Sequence, residues 1–191
     1  MKTVNLITKN SEMARLVWDR YINTNSIAVD ATCGNGNDTL YLAQRVRHVY
    51  GFDIQKQAIE NTGELLKQHQ LDNCTLICDS HENIDEYISE PIDLAVYNLG
   101  YLPKGDKSIT TTANGTISSL EKVLGMLNIN GLVSLTLYWG HPEGREEREK
   151  VLEYVRTLDS SRFHVLYMQL INQEDTPPEL LFITRKKKDV I

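Results

Sequence analysis

Apolar positions along this chain alternate between two rhythms. Short continuous apolar runs end on a polar residue, and stretches with apolar residues three or four apart separate them. The first helical stretch runs from Ser11 to Ile22, with Met13, Ala14, Leu16, Val17, Trp18 and Tyr21 at helical spacing and Asn10 or Ser11 as its cap. Strands are expected at Ser26–Asp30, His48–Asp53, Cys74–Cys78 and Ile92–Tyr97. Helices are expected through Leu40, Ala43 and Val46, over Gln55–Gln68, and over Glu82–Ile88. A loop rich in Gly, Pro and Lys spans Leu99–Thr112; loops of that length in small domains are often functional. A helix through Leu120, Val123, Leu124 and Leu127 follows, then a strongly apolar strand at Gly131–Trp139. After a turn at Gly140–Gly144 come a charged helix, Arg145–Leu158, and two strands, Phe163–Ile171 and Leu180–Arg185. The Pro177-Pro178 connector is too short for a crossover helix, so this last pair is antiparallel.

Alternating strands and helices imply a doubly wound α/β fold. Its mostly parallel seven-stranded sheet carries helices on both faces and an antiparallel C-terminal strand pair. Ligands of such sheets bind at the carboxyl ends of the strands, where the strand order reverses. Here those ends hold Asp30, Asp53, Asp79 and Asn98.

Length and charge narrow the picture further. At 191 residues, the chain is read as one domain, 1–191, that needs neither disulfides nor metals to hold a core. The net charge of −6 argues against a protein that coats nucleic acid through bulk charge. A local basic face drawn from Lys104, Lys107, Arg145 and Arg148 stays open, and the run Arg185–Lys188 reads as a solvated tail. No apolar run is long enough to span a bilayer, and no secretory signal is evident, so no membrane role is expected. Three cysteines do not suggest a disulfide framework; the protein is read as cytoplasmic. Cys74 and Cys78 lack a further Cys/His pair, so no metal site is expected.

The segment Asp30-Ala31-Thr32-Cys33-Gly34-Asn35-Gly36-Asn37-Asp38-Thr39 carries the chemistry. Gly34 and Gly36 allow a tight turn and close approach to a ligand. A dinucleotide fold would place a third glycine where Thr39 stands, and Asp38 would oppose a pyrophosphate. Both acids, Asp30 and Asp38, suit a cationic ligand better. Asp53, followed by Ile54 and Gln55, can take both hydroxyls of a ribose. Asp79, with Ser80 and His81, either meets an adenine edge or caps the following helix.

This segment resembles the first motif of class I S-adenosylmethionine-dependent methyltransferases. Together with Asn98-Leu99-Gly100-Tyr101-Leu102-Pro103 and Tyr138-Trp139-Gly140-His141-Pro142-Glu143-Gly144, it is similar to the family long labelled rRNA methylase, which includes the tRNA 5-aminomethyl-2-thiouridine methyltransferases. Glu143 stands where that pattern has glycine. The resemblance implies a Rossmann-like class I methyltransferase fold with S-adenosyl-L-methionine as cofactor. It implies a cofactor site built from residues 30–32, 34–39, 53–55 and 79–81 with Asn98 and Leu99, and an N-terminal helical segment, residues 1–25, packing near that site. The implied substrate is the amine of 5-aminomethyl-2-thiouridine at the tRNA wobble position, with an amine of rRNA as the alternative.

The same resemblance assigns Asn98 to orienting the target amine and Tyr101 to contacting the base, although Tyr101 could equally anchor its loop. His141 is the candidate to take a proton from the amine, or it fixes the turn. Tyr138 and Trp139 are core or base-stacking residues, with Tyr138 the stronger candidate for core. No cysteine follows the fourth strand, which favours methylation of nitrogen over a pyrimidine carbon. An NAD-dependent oxidoreductase and a non-catalytic RNA-binding protein are the competing classes. A homodimer would widen the RNA-binding surface.

Overall fold

Seven strands form one twisted sheet in the order β3-β2-β1-β4-β5-β7-β6. The computed structural model describes residues 9–100, 111–173 and 176–187. The strands are β1 (Ile27–Asp30), β2 (His48–Phe52), β3 (Cys74–Ile77), β4 (Ile92–Leu99), β5 (Leu127–Leu137), β6 (Phe163–Met168) and β7 (Glu179–Arg185). The helices are α1 (Asn10–Trp18), α2 (Asn37–Ala43), α3 (Lys56–Gln68), α4 (Ile84–Tyr87), α5 (Ala113–Met126) and α6 (Pro142–Arg156), with a 3₁₀ turn at His81–Asn83. The first five strands pair in parallel, and β7 runs antiparallel between β5 and β6.

The alternation of side chains along a strand divides the core between the two sheet faces. Ile27 and Val29 of β1 join α4, α5 and α6 residues such as Ile84, Leu120, Val123, Val151 and Val155. Ala28, between them, joins Ala14 and Trp18 of α1, Leu42 of α2 and Leu66 of α3 on the opposite face. From β1 the chain winds outward through β2 and β3, then returns to β4 on the other side of β1. The reversal therefore falls between β1 and β4, and the loops after those strands flank a natural ligand crevice.

Several boundaries differ from the sequence-based expectation. α1 begins at Asn10, with Lys9 in the cap position, because the Asn10 amide is turned to the Pro178 carbonyl instead of capping. It ends at Trp18 and not Ile22. β4 continues through Asn98 and Leu99, which pair with Thr136 and Leu137 of β5. α6 begins at Pro142, three residues before the expected start. Pro142 occupies the first turn, where its missing N–H has no cost, and Glu143 adds a negative charge beside the helix N-terminus. Leu127 starts β5 instead of ending α5. β6 stops at Met168, the partner of Leu180, since β7 offers its last position beyond that at Glu179; Leu170 and Ile171 stay exposed.

Two readings of the basic residues are corrected. Arg185 and Lys186 are not a free tail: Arg185 donates to the Leu127 carbonyl and Lys186 to Ser160 O. Arg148 is half-buried against Glu179, with its guanidinium 5.2 Å from the centre of the Trp139 ring. Lys104, Lys107 and Lys188 lie outside the described residues, and Arg145 is exposed. No helix among the described residues is long and apolar enough to cross a membrane.

Candidate functional site

The loops after β1, β2, β3, β4 and β5 surround a cavity of about 1320 Å³. Its wall is built first by the turn after β1. Gly36 sits at the head of α2 with φ +76°, and a Cβ there would lie 3.0 Å from the Thr62 backbone, so only glycine lets this turn pack on α3. The Cys33 N–H donates to Phe52 O, and Gly34 N–H to Asp53 Oδ2 at 2.9 Å. The turn is thus fixed to the end of β2. Asp53 Oδ1 accepts from Gln55 N–H, also at 2.9 Å. Each Asp53 oxygen keeps a further lone pair, the requirement for receiving a pair of hydroxyls.

Ala31, Thr32, Gly34, Asn35, Asn37, Asp38, Asp53, Ile54, Gln55, Asp79, Ser80, His81, Asn98 and His141 line the cavity, as the sequence expectation had them gathered. Asp30, Gly36, Thr39 and Leu99 do not. Asp30 and Leu99 are the buried last residues of β1 and β4, and Gly36 and Thr39 are buried at the head of α2, where Thr39 bonds Asp30. Tyr101 lies outside the described residues.

Asp30 is fully buried, accepting from Thr39 Oγ1 at 2.6 Å and Thr32 N–H at 3.2 Å. Burial, then the negative charge of Asp38, pushes its carboxyl up to about 7 from 3.8. Between those values the native state holds a proton that the unfolded chain has lost. The stabilisation is full below about pH 4 and is lost as pH rises through about 7. The isosteric, neutral Asp30→Asn should therefore flatten the fall in Tm between about pH 5 and 7.5. Thermal scans of both proteins across that range measure this, and parallel curves would contradict it.

Asp38 is not the free acid that the sequence suggests. Arg15 of α1 pairs with its Oδ1 at 2.7 Å, and Asn98 Nδ2 donates to its Oδ2 at 3.0 Å. The guanidinium of Arg15 also meets the Asn37 carbonyl. Arg15 and Ser11 bring α1 into the cavity wall. Ala14 and Trp18 anchor the helix to the sheet, while Leu16 faces solvent.

At the β3 end, the Asp79 carboxylate accepts from Ser80 N–H, Asn83 and Tyr87, and these bonds, Tyr87 first, hold its carboxyl below the usual range. The capping role foreseen as one alternative for Asp79 falls to its neighbour: Ser80 is the cap residue, and its Oγ accepts from Glu82 N–H. Burial lowers the His81 imidazole to about 4, so it faces the cavity neutral, with its ring edge-on to Tyr97 at 5.6 Å.

At the β4 end, Asn98 N–H donates to Thr32 Oγ1 at 2.7 Å. Because its side-chain Nδ2 is held by Asp38, the Oδ1 is the acceptor end. Tyr138 and His141, from the end of β5 and the head of α6, share this part of the wall with Gly100. Tyr138 is 44% exposed, so the stronger candidate for core is instead a cavity residue. Trp139 turns away and donates its indole N–H to Pro177 O. Burial pushes the thiols of Cys33 and Cys74 up, Cys74 to about 11, which makes them poor nucleophiles.

The sequence reading missed Arg15, Thr111, Thr112 and Gly115 as wall residues, and Glu147 behind the wall. A signal for Glu147 existed: it precedes Val151 and Val155 at intervals of four on the inner face of α6.

A family described as "Putative rRNA methylase" matches residues 49–184 of this chain. The chain belongs to this family. Among its relatives, a chloroplastic tRNA (mnm5s2U34)-methyltransferase from Arabidopsis thaliana is 37% identical over 94% of this chain and 70% of its own length. A solved structure from Clostridium thermocellum, an rRNA methylase by description, superposes with a TM-score of 0.92. It is 40% identical and covers 95% of this chain and 100% of its own. A methyltransferase structure from Streptococcus mutans, in complex with SAH, superposes at 0.89, with 39% identity over 94% and 99% of the two chains. The family and its solved members establish a class I methyltransferase fold.

Proposed function

We propose that this protein is an S-adenosyl-L-methionine-dependent N-methyltransferase that methylates the amine of 5-aminomethyl-2-thiouridine at the tRNA wobble position. The observation that carries the reading is Asn98, fixed at the cavity wall with its acceptor oxygen set by Asp38. The substrate draws support from the name of the Arabidopsis relative, and the cofactor from the SAH complex of the Streptococcus relative.

The cavity residues fit the cofactor. Asp53 suits the ribose hydroxyls, Gly34 and Asn35 border the cavity, and neutral His81 with Ile54 suits an adenine. Bound there, S-adenosylmethionine supplies an electrophilic methyl group. The chain's own task is to present the amine lone pair to it in line. Asn98 Oδ1 accepts an amine N–H and thereby aims the lone pair, so rate comes from positioning. An aminomethyl group carries an extra proton at neutral pH, and His141, on the same wall, is placed to take it. Tyr138 offers an exposed ring edge or face to a splayed base. The reading treats 1–191 as one catalytic domain acting in the cytoplasm.

The test uses purified protein, S-adenosylmethionine and total tRNA from cells lacking the gene, followed by nucleoside mass analysis. One methyl gained on 5-aminomethyl-2-thiouridine supports the reading. Methylation of rRNA but not tRNA would move the substrate. Asp53→Ala should weaken SAH binding roughly 100-fold or more, the loss expected for two hydrogen bonds to a charged acceptor. Calorimetry reads this directly, and an unchanged Kd would remove Asp53 from the cofactor site.

A further inference from the structure

Glu147 stands out among the buried polar groups that the mechanism above leaves unused. It is 3% exposed, and both carboxylate oxygens are engaged by threonine hydroxyls. Thr111 Oγ1 donates to Oε2 at 2.6 Å, and Thr116 Oγ1 to Oε1 at 2.7 Å. The Thr116 arm ends inside α5. The Thr111 arm goes further: its Oγ1 accepts the Gly100 N–H at 2.9 Å, and its own N–H donates to Gly100 O at 3.2 Å. Thr111 therefore clamps Gly100 from both sides, two residues after Asn98.

A hydroxyl has one proton. Pointed at Glu147, it leaves Thr111 Oγ1 able only to accept, which is what the Gly100 amide needs. A carboxylate accepts only, so it imposes this orientation. Gly100 has φ +143°, a conformation with little intrinsic preference outside glycine, so its geometry depends on such outside bonds.

We propose that Glu147 is a positioning residue for methyl transfer: through the Thr111 hydroxyl it fixes Gly100 and so holds Asn98 at the angle the amine requires. The inference rests on the N-methyltransferase reading above. It assigns Glu147 no contact with substrate or cofactor.

The two arms separate a positioning role from a structural one. Thr111→Val and Thr116→Val each remove one hydroxyl from the same carboxylate. Only Thr111→Val releases Gly100. Thr111→Val and Glu147→Ala should lower kcat about 10-fold or more, with KM for tRNA and Kd for SAH within about twofold. Thr116→Val should stay within about twofold of wild type. Glu147→Gln should recover most of kcat, because its Oε1 can accept from Thr111 while its amide donates to Thr116. Equal kcat losses in the two threonine variants would overturn the proposal, as would a Gln variant as slow as Ala. Amide exchange at Gly100 gives a second readout that needs no substrate. Exchange should quicken about 10-fold in Thr111→Val and Glu147→Ala and not in Thr116→Val. Equal exchange in all variants would overturn the inference even with active enzyme. A wild type inactive on tRNA but showing this exchange pattern would instead fault the substrate reading alone.

Discussion

Asn98→Ala lowers kcat for methyl transfer by about 10²- to 10³-fold while Kd for SAH stays within about threefold. The asymmetry follows from the site. Asn98 is held by its N–H on Thr32 and by its Nδ2 on Asp38, so its carbonyl oxygen needs no reorganisation to accept an amine N–H. Removing it leaves the Asp53 end of the cavity untouched, because the two residues close β4 and β2 on opposite sides of β1. Asn98→Asp should be no rescue. The substitution would set a carboxylate oxygen where Nδ2 now donates at 3.0 Å to Asp38, replacing a hydrogen bond with like-charge repulsion. Single-turnover rates at saturating cofactor, alongside calorimetric SAH binding, measure both effects. A kcat within about threefold of wild type in Asn98→Ala would remove the residue from amine orientation.

Gly144→Ala costs about 2–4 kcal/mol of stability, lowering Tm by roughly 5–15 °C for a chain of this size, and depresses activity further. A Cβ on Gly144 would overlap the Tyr138 carbonyl oxygen and lie 2.6 Å from His141 Cε1. The first atom is backbone at the end of β5, which its pairing with β4 and β7 holds in place. The helix head must therefore move, and it carries His141, the residue at the cap position of α6. Urea unfolding at constant m-value would report the stability loss. A variant with wild-type stability would show that α6 is free to shift. Gly125→Ala is the matched control: it also lies in a helix, but a Cβ there meets nothing within 4 Å.

These predictions rest on contacts of different legibility. The four polar strand ends were readable because a short apolar run closing on an acid or amide has a local signature. The turn from Asp30 to Thr39 was readable for the same reason. Which of those ends reach the cavity was not. Asp30 and Asp53 look alike in sequence, yet Asp30 is buried behind the wall and Asp53 lies on it. Asp79 likewise reads as a ligand until Tyr87 and Asn83 are seen to occupy its oxygens.

The sequence by itself determined the alternation of strand and helix, the reversal of direction in the last strand pair, and the glycines of the first turn. Each depends on neighbours within a few residues, through period, turn length or backbone sterics. The tertiary structure alone decided the electrostatics and the bracing of the site. Arg15 neutralises Asp38 across 23 residues of chain, and Glu147 reaches Thr111 across 36. Tyr138 faces the cavity while Trp139 turns toward Pro177. Such pairings depend on how helices settle on a closed sheet, and a charge or hydroxyl carries no mark in the chain of which distant partner it will meet.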